Sequence, residues 1–330
     1  MFVTSRRTLV VATLFLIAGC TGGTLSQAPS VVSQAAHGVV HSGVPFAIPT
    51  LRALIRPDKK SGNYSSKKSL VFEGDQLEAA VNIYKTAALS SNPAPIATIH
   101  VAAGCPYGMA MNKKGTLYVA DNCGGNDVEE YSKGSTTLKT KITDGISNPL
   151  GLAIDAKGNL YVSNYPAAIT IYAAGTTSPS ATITGGGMID PFGVALDKSG
   201  NLYIADFGAD AVFELPAGGT SVTNLGLQGL GEPLGLAFDL KTGYLWETDG
   251  EDHVVNIYNP SQSTSPIETF AGQESPYAIS LENQGKPLGE VVVSDTDVDN
   301  VDAYKPGSYS PYATLSNGIE LPTGLLISKP

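Results

Sequence analysis

Carboxylates and aromatic rings recur along this chain at one interval, and they are the residues with chemistry to offer. Asp121, Asp206, Asp249 and Asp295 each close a short apolar run, as in Leu117-Tyr-Val-Ala-Asp121 and Leu202-Tyr-Ile-Ala-Asp206, and Asn164 closes another. Asp127, Asp210, Glu251, Asp252, Asp297 and Asp299 follow within a few residues. Tyr107, Phe192 and Tyr277 each stand between a Pro and a Gly or Ala, while Tyr165 and Phe207 come directly after an apolar run. Rings stack on apolar faces and cations, and carboxylates accept hydrogen bonds or attract positive charge. Together they suit a sugar, a peptide or a cation. Each Asp taken singly has a plainer role, capping a turn through side chain to backbone hydrogen bonds. Only the cluster points to function.

Other chemistry has weaker support. Asp295-Thr-Asp-Val-Asp-Asn300 opens like a calcium loop, but Asn300 and Pro306 stand where such a loop needs Gly and Glu. A looser site for Ca²⁺ or another divalent metal, built from several repeats, is left open. A nucleophilic triad has little to draw on, because no Gly-x-Ser-x-Gly elbow occurs and the four His are His37, His41, His100 and His253.

The elements that must hold these residues repeat. A Pro-x-Gly or Pro-x-Ala step occurs at Pro106, Pro149, Pro191, Pro233, Pro276 and Pro322, at intervals of 43, 42, 42, 43 and 46 residues. Each step opens a strand, and the apolar run that follows is a second strand. An alternating segment such as Ile169-Thr-Ile-Tyr172 is a third, and segments such as Ala181-Thr-Ile-Thr184 form a fourth. Four short strands per unit, joined by Gly and Asn turns, are the mark of a β-propeller blade. The predicted fold is all-β: a six-bladed propeller with four-stranded blades, its N-terminal blade beginning at Leu70 and completed by a C-terminal strand from Pro322. A β-helix or open solenoid is the alternative.

The pattern Pro-x-Gly-(Leu/Val)-Ala-(Ile/Leu)-Asp-x-x-Gly-x-Leu-Tyr-(Val/Ile)-(Ala/Ser)-(Asp/Asn), clearest at 149–164 and 191–206, resembles the NHL repeat of six-bladed propellers. It is also similar to the wider group holding the gluconolactonase-type lactonases. The resemblance implies a binding face where the fourth-to-first and second-to-third strand loops emerge. The lactonases also imply a divalent metal held by Glu, Asn and Asp near the channel. Their usual Asn is missing from the middle of the Pro-x-Gly steps, where Tyr107, Leu150, Phe192, Leu234, Tyr277 and Thr323 stand. The Arg that NHL repeats often carry before the third strand is replaced by Ala80, Asp127, Ala168, Ala211, Val254 and Asn300. RNA-binding members with a basic face are therefore poor guides, and propeller lyases that depend on several His fit little better.

Cys105 precedes the first strand of its blade and Cys123 follows the second, at matching distances from a hairpin turn at Lys113-Lys114. They face each other across the hairpin mouth, which favours a disulfide in an oxidising compartment. Two free thiols are the alternative.

Residues 1–19 read as a leader, with Arg6 and Arg7 before an apolar run too short to span a bilayer. Ile17-Ala18-Gly19-Cys20 resembles the bacterial lipobox, which predicts a lipid on Cys20. Ordinary secretion is the alternative. Residues 20–65 are a polar, Ser-, Gly- and Pro-rich tether whose segment 46–55 could be strand or helical turn, and 66–330 form the propeller. The expected location is the cell envelope, outside the cytoplasm.

With 20 Lys+Arg against 30 Asp+Glu, the net charge of −10 argues against nucleic acid. The expectation is a monomeric, membrane-anchored binding propeller. Its partner is a small molecule, sugar, peptide or envelope protein. A divalent-metal lactonase-like hydrolase or lyase is the alternative, and a purely structural envelope module is a third reading.

Overall fold

The computed structural model describes residues 63–64, 69–101, 104–282, 289–305 and 307–328. The assignments made above for residues 1–62, the leader, Cys20 and most of the tether among them, lie outside the described residues.

Among the described residues, twenty-four strands form six antiparallel sheets of four, the blades of the ring. Blade 2 holds β4 (Pro106–Met111), β5 (Leu117–Asp121), β6 (Asp127–Tyr131) and β7 (Leu138–Ile142). Blade 3 holds β8 (Pro149–Ile154), β9 (Leu160–Asn164), β10 (Ala168–Tyr172) and β11 (Ala181–Thr184). Blade 4 holds β12 (Pro191–Leu196), β13 (Leu202–Asp206), β14 (Ala211–Leu215) and the two-residue β15 (Thr223–Asn224). In blade 5 are β16 (Pro233–Asp239), β17 (Tyr244–Asp249), β18 (Val254–Tyr258) and β19 (Glu268–Ala271). Blade 6 comprises β20 (Pro276–Leu281), β21 (Val291–Asp295), β22 (Asn300–Tyr304) and β23 (Ala313–Leu315).

Blade 1 shows how the ring closes. Its chain-initial strands β1 (Leu70–Asp75), β2 (Ala80–Lys85) and β3 (Ala97–His100) are completed on the inside by β24 (Pro322–Ile327), in the order β24-β1-β2-β3. The register runs from Val71↔Ile327 to Asp75↔Pro322. Ends of the chain distant in sequence thus share one ladder, and no radial seam is left unpaired.

The Pro-x-Gly step has a packing reason. Proline suits the first position of a strand, and a bulge follows it in β4, β8, β12, β16 and β20. The glycine then lies against the next inner strand. A Cβ on Gly193 would stand 2.2 Å from the Leu234 carbonyl oxygen, and one on Gly324 2.0 Å from that of Tyr107. Five of the six inner strands carry this Gly, with Ala278 in β20 the exception, so around the narrow axis backbone largely meets backbone. Between blades the apolar faces interdigitate, as where Phe72, Ile83 and Ile99 of blade 1 meet Met109, Leu117 and Tyr131 of blade 2.

Candidate functional site

One end of the ring carries the loops that join second to third strands and fourth strands to the next blade. Its architecture is held by the residue that closes each second strand. Asp206 accepts hydrogen bonds from the backbone N–H groups of Ile189 (2.8 Å), Asp190 (2.9 Å) and Ala209 (3.1 Å). Asp249 does the same for Gly231 (2.7 Å), Glu232 (3.1 Å) and Asp252 (2.9 Å), and Asp295 for Glu274 (2.6 Å) and Ser275 (3.0 Å). Asp75 holds Glu78 and Glu320, Asp121 holds Cys105, and the Asn164 amide oxygen holds Ser147. All six side chains are buried. Burial raises the Asp206 and Asp121 carboxyls above the usual aspartate range, against the opposing pull of these N–H donors. These groups tie the two loop sets of each blade together and do not project from the face.

The aromatic residues also differ from an open platform. Tyr107, Phe192 and Tyr277 are 2%, 5% and 7% exposed, because the bulge after each Pro turns the next side chain toward the ring axis. Their rings meet edge to face: Phe192 and Tyr277 lie 5.2 Å apart at 89°, and Tyr107 lies 6.1 Å from Phe192. Leu150 and Leu234 join the same cluster. Five of the six inner strands thus converge on an apolar plug, and β24 brings the buried Thr323 to the same position. Burial raises the Tyr107 phenol to about 12. Tyr165 and Phe207, half-buried, pack against the outer side of this cluster, Phe207 6.1 Å from Phe192.

What this end does present is charge. Asp144, Asp210, Glu251, Asp252, Glu274, Asp297 and Asp299 are exposed in its loops, and Glu78, Asp190, Glu232 and Glu320 are half-buried there. Among the described residues of these loops there is no Lys or Arg. Desolvation and like-charged neighbours raise the Asp190, Asp210 and Asp297 carboxyls. Asp127, expected among the loop carboxylates, is instead buried at the start of β6 with its Oδ2 2.7 Å from Lys141 Nζ.

The opposite end carries the lysines. Lys113, Lys114, Lys157, Lys198 and Lys241 occupy turns between first and second strands, with Lys133 and Lys305 beyond third strands. Here the channel opens as a funnel of about 1650 Å³, lined inside by Gly108, Gly151, Gly193, Gly235 and Gly324 and at its mouth by Lys113, Lys157 and Lys198. The mouth carboxylates are committed to their own turns: Asp155 Oδ1 accepts the N–H groups of Lys157 and Asn159, both at 2.8 Å, and Asp197 repeats the pattern. His100 and His253 are exposed on blades 1 and 5, outside the funnel lining.

Two further features bear on this site. Cys105 and Cys123 form a disulfide, Cα to Cα 5.2 Å, at the rim of blade 2. Glu129, Lys141 and Glu247, all with partners inside blades, were not singled out by the sequence; aligning the six repeats residue by residue would have marked Glu129 and Glu247 as charges at positions apolar or neutral in most copies.

No family profile matches the chain, and no curated protein sequence does. Solved structures share its fold. A chain from the crystal structure of a nidogen/laminin complex aligns with a TM-score of 0.66 at 20% identity, over 78% of this chain and 98% of that one. Virginiamycin B lyase from Staphylococcus aureus aligns at 0.55 and 14% identity, over 74% of this chain and 80% of the other. A streptogramin B lyase aligns at 0.57 and 14% identity, over 81% and 86%. At these identities the likeness is one of fold.

Proposed function

We propose that this chain is an extracytoplasmic recognition propeller that binds a positively charged partner, a basic peptide or protein segment, on its acidic loop face, and that it has no catalytic centre of its own. The observation that carries the reading is the division of charge between the two ends of the ring: loop carboxylates without Lys or Arg on one, lysines on the other. Such a field draws a cationic partner to one face and holds off anions there. Tyr165 and Phe207 offer that partner a partly exposed ring surface beside the carboxylates. The disulfide suits an oxidising compartment, and no described helix is long and apolar enough to cross a membrane. On this reading Cys20 carries the lipid, residues 20–65 are the tether, and the kinship is with NHL-type propellers.

The test is binding of the purified protein to immobilised oligolysine across a salt series. Affinity is expected to fall as NaCl rises, because exposed charges are screened beyond about 10 Å at 0.1 M. Joint replacement of Asp210, Asp252 and Asp297 by Asn should abolish the binding, and replacement of Lys157 and Lys198 should not. Equal binding by both variants would overturn the proposal.

A second reading follows from the two lyases among the structural relatives, whose names give virginiamycin B and streptogramin B as what those proteins act on. It places a divalent-metal lyase or lactonase-like hydrolase in the funnel. Metal-dependent turnover of a streptogramin B or of a lactone panel would establish it in place of the first.

A further inference from the structure

Blade 2 departs from its copies at one place. Its third strand opens on Asp127 where four of the other blades have Ala or Val, and two residues on it carries Glu129. Asp127 pairs directly across the ladder with Asp121. The three carboxylates are therefore gathered beneath the loop 122–126, and one oxygen of each lies within 4.8 Å of the others. Asp121, Asp127 and Glu129 are 0%, 3% and 0% exposed. Lys141 lies against them, its Nζ 2.7 Å from Asp127 Oδ2 and 3.0 Å from Glu129 Oε1. Asp121 Oδ2 and Asp127 Oδ1, both buried, have no hydrogen-bond partner among the described residues. Ionised together, the three buried carboxylates would outnumber the one ammonium beside them among the described residues, a costly arrangement in a protein interior.

The surroundings fit a small cation. Gly125 closes over the cluster so tightly that a Cβ there would stand 2.2 Å from Asp121 Oδ2 and 3.0 Å from Asp127 Oδ2. The Tyr131 hydroxyl donates to Glu129 Oε2 and orients that carboxylate. All the available donors are oxygens, the set that hard divalent ions prefer. The Lys141 side chain is 33% exposed, and its flexible stem gives the ammonium a path to solvent.

We propose that the rim of blade 2 binds a hard divalent cation of the Ca²⁺ class through Asp121, Asp127 and Glu129, and that the ion enters as the ammonium of Lys141 swings out. Exchange against a resident ammonium keeps the affinity modest, in the range of about 10⁻⁴–10⁻³ M seen for extracellular modules. This site stands apart from the acidic-face reading, since the exposed loop carboxylates take no part in it.

The experiment uses the purified protein stripped with EDTA and titrated with Tb³⁺, whose emission is sensitised by a nearby tyrosine such as Tyr131, followed by displacement with Ca²⁺. A saturable signal removed by Ca²⁺ is expected. It should be lost in Asp127→Asn and Glu129→Gln, and retained in Asp252→Asn. Tyr131 cannot be tested by the same emission, so Ca²⁺ affinity of Tyr131→Phe is read by calorimetry and should fall by about tenfold, as for other partners that orient a ligand. Lys141→Met is the second arm: it should melt lower than wild type in EDTA, bind Ca²⁺ more tightly than wild type, and regain the lost melting temperature when Ca²⁺ is added. Absence of Tb³⁺ emission above that of the Asp127→Asn and Glu129→Gln variants would overturn the proposal. So would a Lys141→Met protein that melts low and does not respond to Ca²⁺, since Lys141 would then be a structural counterion and nothing more.

Discussion

At the scale of single residues, burial decides which side chains can meet a partner. Phe192 was readable from sequence as a ring in a repeated step, but whether it faced solvent depended on the bulge after Pro191, which appears only when strands are paired. Its edge-to-face contacts with Tyr107 and Tyr277 predict that Phe192→Ala costs about 3–5 kcal/mol, as for other buried Phe. Denaturant melts check this, and a loss below 1 kcal/mol would mean the plug repacks freely. Glu247 gives a prediction about pH. It is fully buried, Asn256 Nδ2 donates to its Oε2 at 3.0 Å, and its Oε1 has no hydrogen-bond partner among the described residues. Burial, reinforced by Asp249, lifts its pKa well above the ordinary 4.5. A folded-state pKa above the unfolded one means that folding takes up a proton, so this contribution is full below pH 4.5 and declines as pH rises toward the folded value. Glu247→Gln should therefore match the parent in acid and exceed it in stability by a margin that grows with pH. The same set of melts across pH checks it.

At the scale of the element, the repeat carried nearly all of the architecture. The Pro-x-Gly interval marked every inner strand, and the two cysteines marked their own hairpin, because local turn chemistry and strand alternation are written in consecutive residues. The fourth strands of blades 2 and 4 carry no such segment, since Leu138–Ile142 is largely polar with little burial and Thr223–Asn224 is too short to alternate. Charge on the loops was visible as composition, but its separation onto two ends required the blade register. Gly193 tests the packing argument. Its hypothetical Cβ would meet backbone, the Leu234 carbonyl, which cannot rotate away. Gly193→Ala should cost about 1–3 kcal/mol from overpacking alone, whereas Gly175→Ala, where nothing lies within 4 Å but φ is +79°, should show only the smaller strain of a left-handed residue. Paired unfolding curves check the order of the two.

For the whole molecule, closure is the property that a residue list does not contain. Blade 1 needs β24 to cover the inner edge of β1, and Thr323 Oγ1 donates across to the Pro106 carbonyl at 2.7 Å, joining blade 1 to blade 2. Truncation before Pro322 should open that edge, lower the melting temperature by more than about 10 °C, and raise aggregation through the exposed strand. Calorimetry with light scattering checks both, and an unchanged midpoint would show that the ring does not depend on its last strand.

The strand order of blade 1 also has a mechanical meaning. A pull on the segment before Leu70 is delivered to β1, which is hydrogen-bonded on both sides, to β24 and to β2. Ladder bonds run perpendicular to the strands, so tension along β1 loads many of them at once in shear instead of unzipping them in turn. Under the proposed tethering at its N-terminal end, the ring would be gripped through the middle of a sheet, and a load on it would be spread over two ladders before any blade could peel.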